Sequence, residues 1–144
     1  MIDLETIRAT RPLWVGVIAG VGAQTLKLIS FLWLEKRINF RRLVETDGAP
    51  NMHAAAFAGL SVAIGQETGF GSINFAVVTC FTTLVTVDMW NVKRAASHQA
   101  EVVDLILIRL RPHHPLAERR PLSYSVLDVM TGTVFGVATA LLTR

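Results

Sequence analysis

The residues of this chain that could do chemistry gather around a turn that opens into an apolar helix. The turn, residues 47–50, contains Gly48 and Pro50, and His53 stands in the first turn of the helix that follows. A helix N-terminus carries partial positive charge and unpaired N–H donors, which together attract anions. A histidine at this place can exchange a proton near neutral pH. The pattern therefore indicates a phosphate site at the mouth of a helix.

Other ionisable residues fall near the ends of apolar segments, where burial in a membrane makes a charge costly. A charge at the centre of a membrane helix costs about 2.5–3.5 kcal/mol, so it usually has a partner or a purpose. Lys27, Lys93 and Arg94 could gather around an anion, and Asp88 and Asp128 could orient these cations or the histidine. We predict that all of them meet at one membrane face.

The composition is that of a polytopic membrane protein with a single domain over residues 1–144. Hydrophobic residues make up 51% of the chain and charged residues 17%, whereas soluble domains carry about 25% charged residues. The net charge is +3, but ten of the fourteen Lys and Arg residues lie in segments 35–50 and 90–122, beside apolar stretches. Membrane topology explains this placement, and we expect no nucleic-acid partner.

The apolar segments predict an all-α bundle of four transmembrane helices at about 13–34, 51–66, 73–89 and 123–143. Residues 91–110 show helical periodicity with charges around it, which predicts an additional interfacial amphipathic helix on the membrane surface. Because a full span needs about 20 residues, the second and third segments are short. Either they are tilted, or the loop before the second dips inward.

The distribution of positive charge predicts the orientation. With four spans, loops 35–50 and 90–122 share one side, and the opposite loop, 67–72, has no Lys or Arg. Positively charged loops stay in the cytoplasm, so we expect both basic loops there. Arg8 and Arg11 at the other side oppose this orientation.

Five groups of short motifs follow one another along the chain. They are Ala23-Gln24 with Lys27; the run from Thr46 to His53; Glu67-Thr68-Gly69; Asp88 with Val92-Lys93-Arg94 and Gln99-Ala100; and Ser123-Tyr124-Ser125-Val126 with Asp128-Val129, Gly132 and Gly136. In order and spacing they resemble the divergent bacterial branch of the type-2 phosphatidic acid phosphatase superfamily, also described as acid phosphatase/vanadium-dependent haloperoxidase related. The resemblance covers nearly the whole chain and implies a bacterial inner-membrane protein.

The resemblance also implies roles for particular residues. In the superfamily, a histidine of the last motif attacks phosphorus, and a histidine of the middle motif protonates the leaving oxygen. By this resemblance His53 would be the general acid and Asp128 the carboxylate that orients the nucleophile. Lys27, with Lys93 or Arg94, would bind the phosphate oxygens through charge-assisted contacts. We expect neither a metal nor another cofactor.

The chain departs from the family pattern at its polar positions. The nucleophile position holds Tyr124, whose hydroxyl is a poor nucleophile unless strongly activated. Asn51 and Met52 replace two serines, and Lys93 replaces an arginine that could bind an anion in a bidentate way. The small residues persist at a spacing that lets helix backbones approach closely in lipid: Gly16 and Gly20, then Ala55, Gly59 and Ala63, then Gly132 and Gly136. This pattern favours a catalytically degenerate protein, acting among membrane lipids as a scaffold or as an accessory subunit of a membrane complex. The alternative is an active lipid phosphate or diphosphate phosphatase with a cytoplasm-facing site.

Each candidate residue also has a purely structural explanation. His53 could cap its helix or line a polar cavity, and Lys27 could extend to the lipid headgroups. Lys93 and Arg94 could contact the same headgroups. Asp128 could cap the fourth helix or pair with a cation.

Overall fold

A computed structural model describes residues 4–35, 49–110 and 126–144 of the chain. The described part contains four α-helices, which confirms the predicted all-α class. They are α1 (Leu4–Glu35), α2 (Met52–Thr68), α3 (Ile73–Leu110) and α4 (Val126–Leu142). Residues 36–48 and 111–125, which include most of the first basic loop and part of the second, lie outside the described residues.

Helix α2 lies at the centre of the bundle. It packs against α1, α3 and α4, and α1 also packs against α4. Gly16 of α1 lies against Leu60 and Gly20 lies against Met52, so α1 runs antiparallel to α2. Helix α4 runs parallel to α2, because the start of each helix meets the start of the other.

Small residues bring the backbone of α2 into contact with its neighbours. Gly136 of α4 lies so close to the Ala55 carbonyl that a Cβ on Gly136 would overlap with it. A Cβ on Gly59 would lie 3.1 Å from the Ala19 Cβ and 3.2 Å from the Gly136 carbonyl oxygen. Ala55, Gly59 and Gly136 are all buried. The sequence spacing predicted this type of packing, which is common where helices associate in lipid.

At one end of the bundle, Arg11 links α1 to α2 and to the end of α4. The Arg11 guanidinium of α1 forms an ion pair with Glu67 at 2.6 Å and donates to the Gln66 side chain at 3.0 Å, both at the C-terminal end of α2. It also donates to the Thr143 carbonyl, just beyond α4, from Nε at 3.3 Å and from a terminal nitrogen at 3.1 Å. Arg11 therefore connects the ends of three helices.

Helix α3 differs from the prediction. We predicted a span at 73–89 and a separate interfacial helix at 91–110, but residues 73–110 form one uninterrupted helix of 38 residues. Residues 73–110 contain neither proline nor glycine. No residue in this stretch therefore favours ending the helix. At 1.5 Å per residue the helix is about 57 Å long, well beyond the roughly 30 Å of a bilayer's hydrocarbon core.

Among the described residues, two helices are long and apolar enough to cross a membrane: residues Thr10–Trp33 of α1, and α3. Helices α2 and α4 have 17 residues each, a little short of the roughly 20 that a full span needs. Their placement as spans at 51–66 and 123–143 stays a prediction, and residues 123–125 lie outside the described part.

The close contact of Gly136 with α2 makes a prediction about stability. Gly136→Ala should lower the free energy of unfolding by about 1–3 kcal/mol, because the added methyl group must push α4 away from α2. Thermal unfolding in detergent measures the change. Gly71→Ala is the control, since no atom lies within 4 Å of a Cβ at that position. Equal unfolding temperatures for both variants would contradict the packing described.

Candidate functional site

The N-terminus of α2 is closed by the side chain of Asn51. Its Oδ1 accepts hydrogen bonds from the N–H groups of His53 at 2.9 Å and Ala54 at 3.1 Å. Asn51 is 1% exposed, so this cap lies inside the protein. The backbone N–H groups of His53 and Ala54, which the sequence offered as donors to an anion, therefore already donate to the Asn51 side chain.

The backbone of Asn51 is also attached to α4. Its N–H donates to the Asp128 carbonyl at 2.9 Å. A Cβ on Gly132, one turn further along α4, would overlap with the Asn51 backbone. Because α4 begins directly against the cap of α2, Asp128 is placed at the same end of the bundle as His53.

Lys27 reaches this end from α1. Gly22 of α1 lies against Phe135 of α4, and the two helices run in opposite directions. Moving along α1 from Gly22 to Lys27 therefore corresponds to moving back along α4 toward Asp128. Lys27 is 2% exposed and Asp128 is 7% exposed. The structure thus brings two buried ionisable side chains to one level, near the start of α2.

Helix α3 adds Lys93 to the group. The hydroxyls of Ser61 on α2 and Thr82 on α3 lie 2.9 Å apart, and the helices are antiparallel, so Lys93 falls near the start of α2. The side chains of Lys93 and His53 are both partly exposed.

Not every candidate joins this group equally. Arg94 follows Lys93 by about 100° around the helix and is exposed, as is Asp88. Tyr124, at the position of the nucleophile, lies outside the described residues. The described part of the site therefore consists of Lys27, Asn51, His53, Lys93 and Asp128.

These five residues offer a proton donor, two cations and a carboxylate around a helix N-terminus. This set could bind an anion and protonate a leaving oxygen. The same set also has the features of a structural polar cluster, because Asn51 already satisfies the two helix donors nearest to His53.

Two residues matter more in the structure than in the sequence pattern. Asparagine is among the best N-cap residues, and the position of Asn51 directly before the helix is the local signal for its cap. Arg11 stands out in the sequence only as a positive charge that opposes the predicted orientation. Its partners, Glu67 and Thr143, lie 56 and 132 positions away, so no local pattern could reveal them.

Comparison with known proteins places the chain in a family. The model of the Divergent PAP2 family matches residues 8–139. A relative from Bacillus subtilis (strain 168), "Uncharacterized membrane protein YuiD", is 30% identical over 97 residues. That match covers 67% of this chain and 61% of the relative. No solved structure matches the chain.

The matched region runs from Arg8 in α1 to Thr139 in α4 and includes every described residue of the site. The resemblance inferred from the short motifs is thereby confirmed. The chain belongs to the Divergent PAP2 family.

Proposed function

We propose that this membrane protein is a catalytically degenerate member of its family, working as a scaffold or an accessory subunit of a membrane complex. The observation that carries the proposal is the cap formed by Asn51, which occupies the His53 and Ala54 N–H groups. A phosphate site at a helix N-terminus needs such donors to point at the ligand.

The residue types agree with this proposal. Family resemblance assigns serines to the positions of Asn51 and Met52 and a histidine to that of Tyr124. An asparagine amide fills the place of a small hydroxyl, and methionine offers no useful donor. The substitutions thus favour closing the helix end over leaving it open to a ligand.

A second function, hydrolysis of a lipid phosphate or diphosphate, has one observation in its favour. Lys27 and Asp128 are both buried. Buried charge is costly in a membrane and often marks a functional site. In that case His53 would be the general acid, Asp128 the orienting carboxylate, and Lys27 with Lys93 or Arg94 the phosphate-binding cations.

We further propose that the protein lies in the bacterial inner membrane with the site end of the bundle facing the cytoplasm. The site end leads into both basic loops. Arg11, at the opposite end of the bundle, counts against this orientation, but the two basic loops together contain ten of the fourteen Lys and Arg residues.

Enzyme assays separate the two functions. The purified protein in detergent and in vesicles should release no phosphate from radiolabelled phosphatidic acid or from an isoprenoid diphosphate, because the nucleophile position is Tyr124. Turnover by the wild type that His53→Ala abolishes would refute the degenerate function. Met130→Ala serves as the comparison, since Met130 is exposed and is not among the site residues.

The cap itself can be tested through stability. Asn51→Ala should destabilise the protein by about 1 kcal/mol, because the His53 and Ala54 N–H groups lose their acceptor. Asn51→Ser should recover most of this loss, since serine also caps helices. Thermal unfolding in one detergent compares the three proteins. If Asn51→Ala unfolds at the wild-type temperature, the cap has no structural role.

Cysteine labelling tests the orientation. In a Cys80→Ser background, Gly71→Cys should react with a membrane-impermeant maleimide on intact cells. Gln99→Cys should react only after the cells are permeabilised. Both positions are exposed, at opposite ends of the bundle. The reverse labelling pattern would invert the proposed topology.

A further inference from the structure

We propose that the bundle lies tilted in the membrane, so that the lipid headgroup layer reaches the level of the start of α2 on the side of α3 but not on the side of α1. The tilt follows from the heights of the apolar surfaces on these two helices. It concerns how the protein meets its lipids, so it holds for either function and for either orientation considered above.

Contacts with α2 give α1 and α3 a common reference level. Gly16 of α1 lies against Leu60 of α2. Thr82 of α3 meets the next residue of α2, Ser61, and the two hydroxyls lie 2.9 Å apart. Because α1 and α3 both run antiparallel to α2, they run parallel to each other. Residues equally far beyond Gly16 and Thr82 therefore lie at about the same height, since each residue adds about 1.5 Å.

The exposed surface of α1 is suited to lipid from Leu13 to Trp33. The one charged residue between these positions is Lys27, and its side chain is buried. Thr25 and Ser30 are exposed, but their hydroxyls donate to carbonyls one turn earlier in the same helix, at 2.8 and 2.9 Å. The stretch is about 30 Å long, which matches the hydrocarbon core of a bilayer.

The exposed apolar surface of α3 is shorter. Residues 73–87 contain no charged residue, and Ile73 at their start is 80% exposed. Asp88 follows, and Asp88, Asn91 and Arg94 are all exposed. The stretch from Ile73 to Asp88 is only about 22 Å long. Because a charged side chain is costly in hydrocarbon, the headgroup layer is expected at the level of Asp88 on this side.

The two apolar surfaces are displaced from each other at both ends. Toward the site end, the surface of α1 extends about 25 Å beyond the common level, to Trp33, whereas that of α3 ends after about 9 Å, at Asp88. Toward the end at Arg11, α3 begins with Ile73 about 13 Å from the common level, and α1 begins with Leu13 about 4 Å from it. An upright bundle in a flat bilayer would bury Asp88 in hydrocarbon or lift Trp33 out of it. A tilt aligns both surfaces with one bilayer, and membrane helices commonly tilt by about 20°.

The tilt determines on which side of the bundle headgroups are level with the polar cluster. Asn51, at the start of α2, is ten residues before Ser61, about 15 Å from the common level. On the side of α1, this height is about 10 Å short of Trp33, inside the apolar surface. On the side of α3 it lies about 6 Å beyond Asp88. Phospholipid headgroups beside Asp88 and Arg94 are therefore level with the polar cluster, and Arg94 attracts their phosphates.

Depth measurements on spin labels test the tilt. One pair of positions combines the native Cys80 with Leu13→Cys, and the other combines Thr25→Cys with Asn91→Cys. The three introduced cysteines are placed in a Cys80→Ser background. Within each pair the two positions lie at about the same height in the bundle, and all four are exposed. Collision rates of the label with oxygen and with a nickel chelate give its depth in vesicles of phosphatidylcholine and phosphatidylglycerol.

The label on Cys80 should lie about 10 Å deeper than the label on Leu13→Cys, and the label on Asn91→Cys about 10 Å or more closer to the surface than that on Thr25→Cys. Equal depths within both pairs would refute the tilt. A difference in the second pair alone would also refute it, because it would indicate a bilayer thinned only at the site end. If Asn91→Cys is reached by neither oxygen nor the chelate, protein and not headgroups covers this face, and the proposal fails.

A charge variant tests the cause of the tilt. Asp88→Leu combined with Arg94→Leu extends the apolar surface of α3 toward the site end. It should reduce the depth difference between Thr25→Cys and Asn91→Cys by at least half. Glu101→Leu combined with Arg109→Leu is the matched control, because both residues are exposed further along α3, and it should leave the difference unchanged. An unchanged difference in the first variant, or an equal loss in both, would refute the role of the charges near Asp88.

Discussion

The close approach of three helix backbones is the constraint on which the rest of this structure depends. Side chains larger than a hydrogen atom do not fit at Gly132 and Gly136, so α4 lies directly on α2. Because water is absent from the bilayer core, burial of apolar surface does not drive helices together there, and close contact has to do so. The position of every polar group at the site end follows from this contact.

The backbone contact explains why the polar cluster exists at all. With α4 resting on the start of α2, the Asn51 N–H finds the Asp128 carbonyl, and Asp128 is carried into the interior. Lys27 is brought to the same level by the small residues of α1. The packing contacts thus keep lysine, histidine and aspartate at one end of the bundle whether or not the chain carries out a reaction. The proximity of these residues alone therefore does not decide whether the chain is an enzyme.

The sequence predicted the helical class, the family and the glycine-mediated packing, because each depends on local spacing along the chain. It placed the cluster at one end through the order of the apolar segments. It missed the continuity of α3, since the change from apolar to amphipathic residues near Trp90 looks like a boundary, although no helix-breaking residue is present there. The cap by Asn51 depends on the rotamer of one side chain and on which N–H groups it accepts from, which periodicity does not specify. The partners of Arg11 depend on tertiary contacts, which periodicity does not specify either.

The contacts of Arg11 have a consequence for biosynthesis. Thr143 is separated from Arg11 by 132 residues, so the guanidinium cannot reach this partner until the ribosome has finished α4. During membrane insertion, Arg11 of α1 therefore lacks its hydrogen bonds to the Thr143 carbonyl and faces the translocon or the lipid headgroups. Completion of the bundle at that end is consequently a late event, and until α4 is in place the Arg11 guanidinium has only Glu67 and Gln66 of α2 as partners.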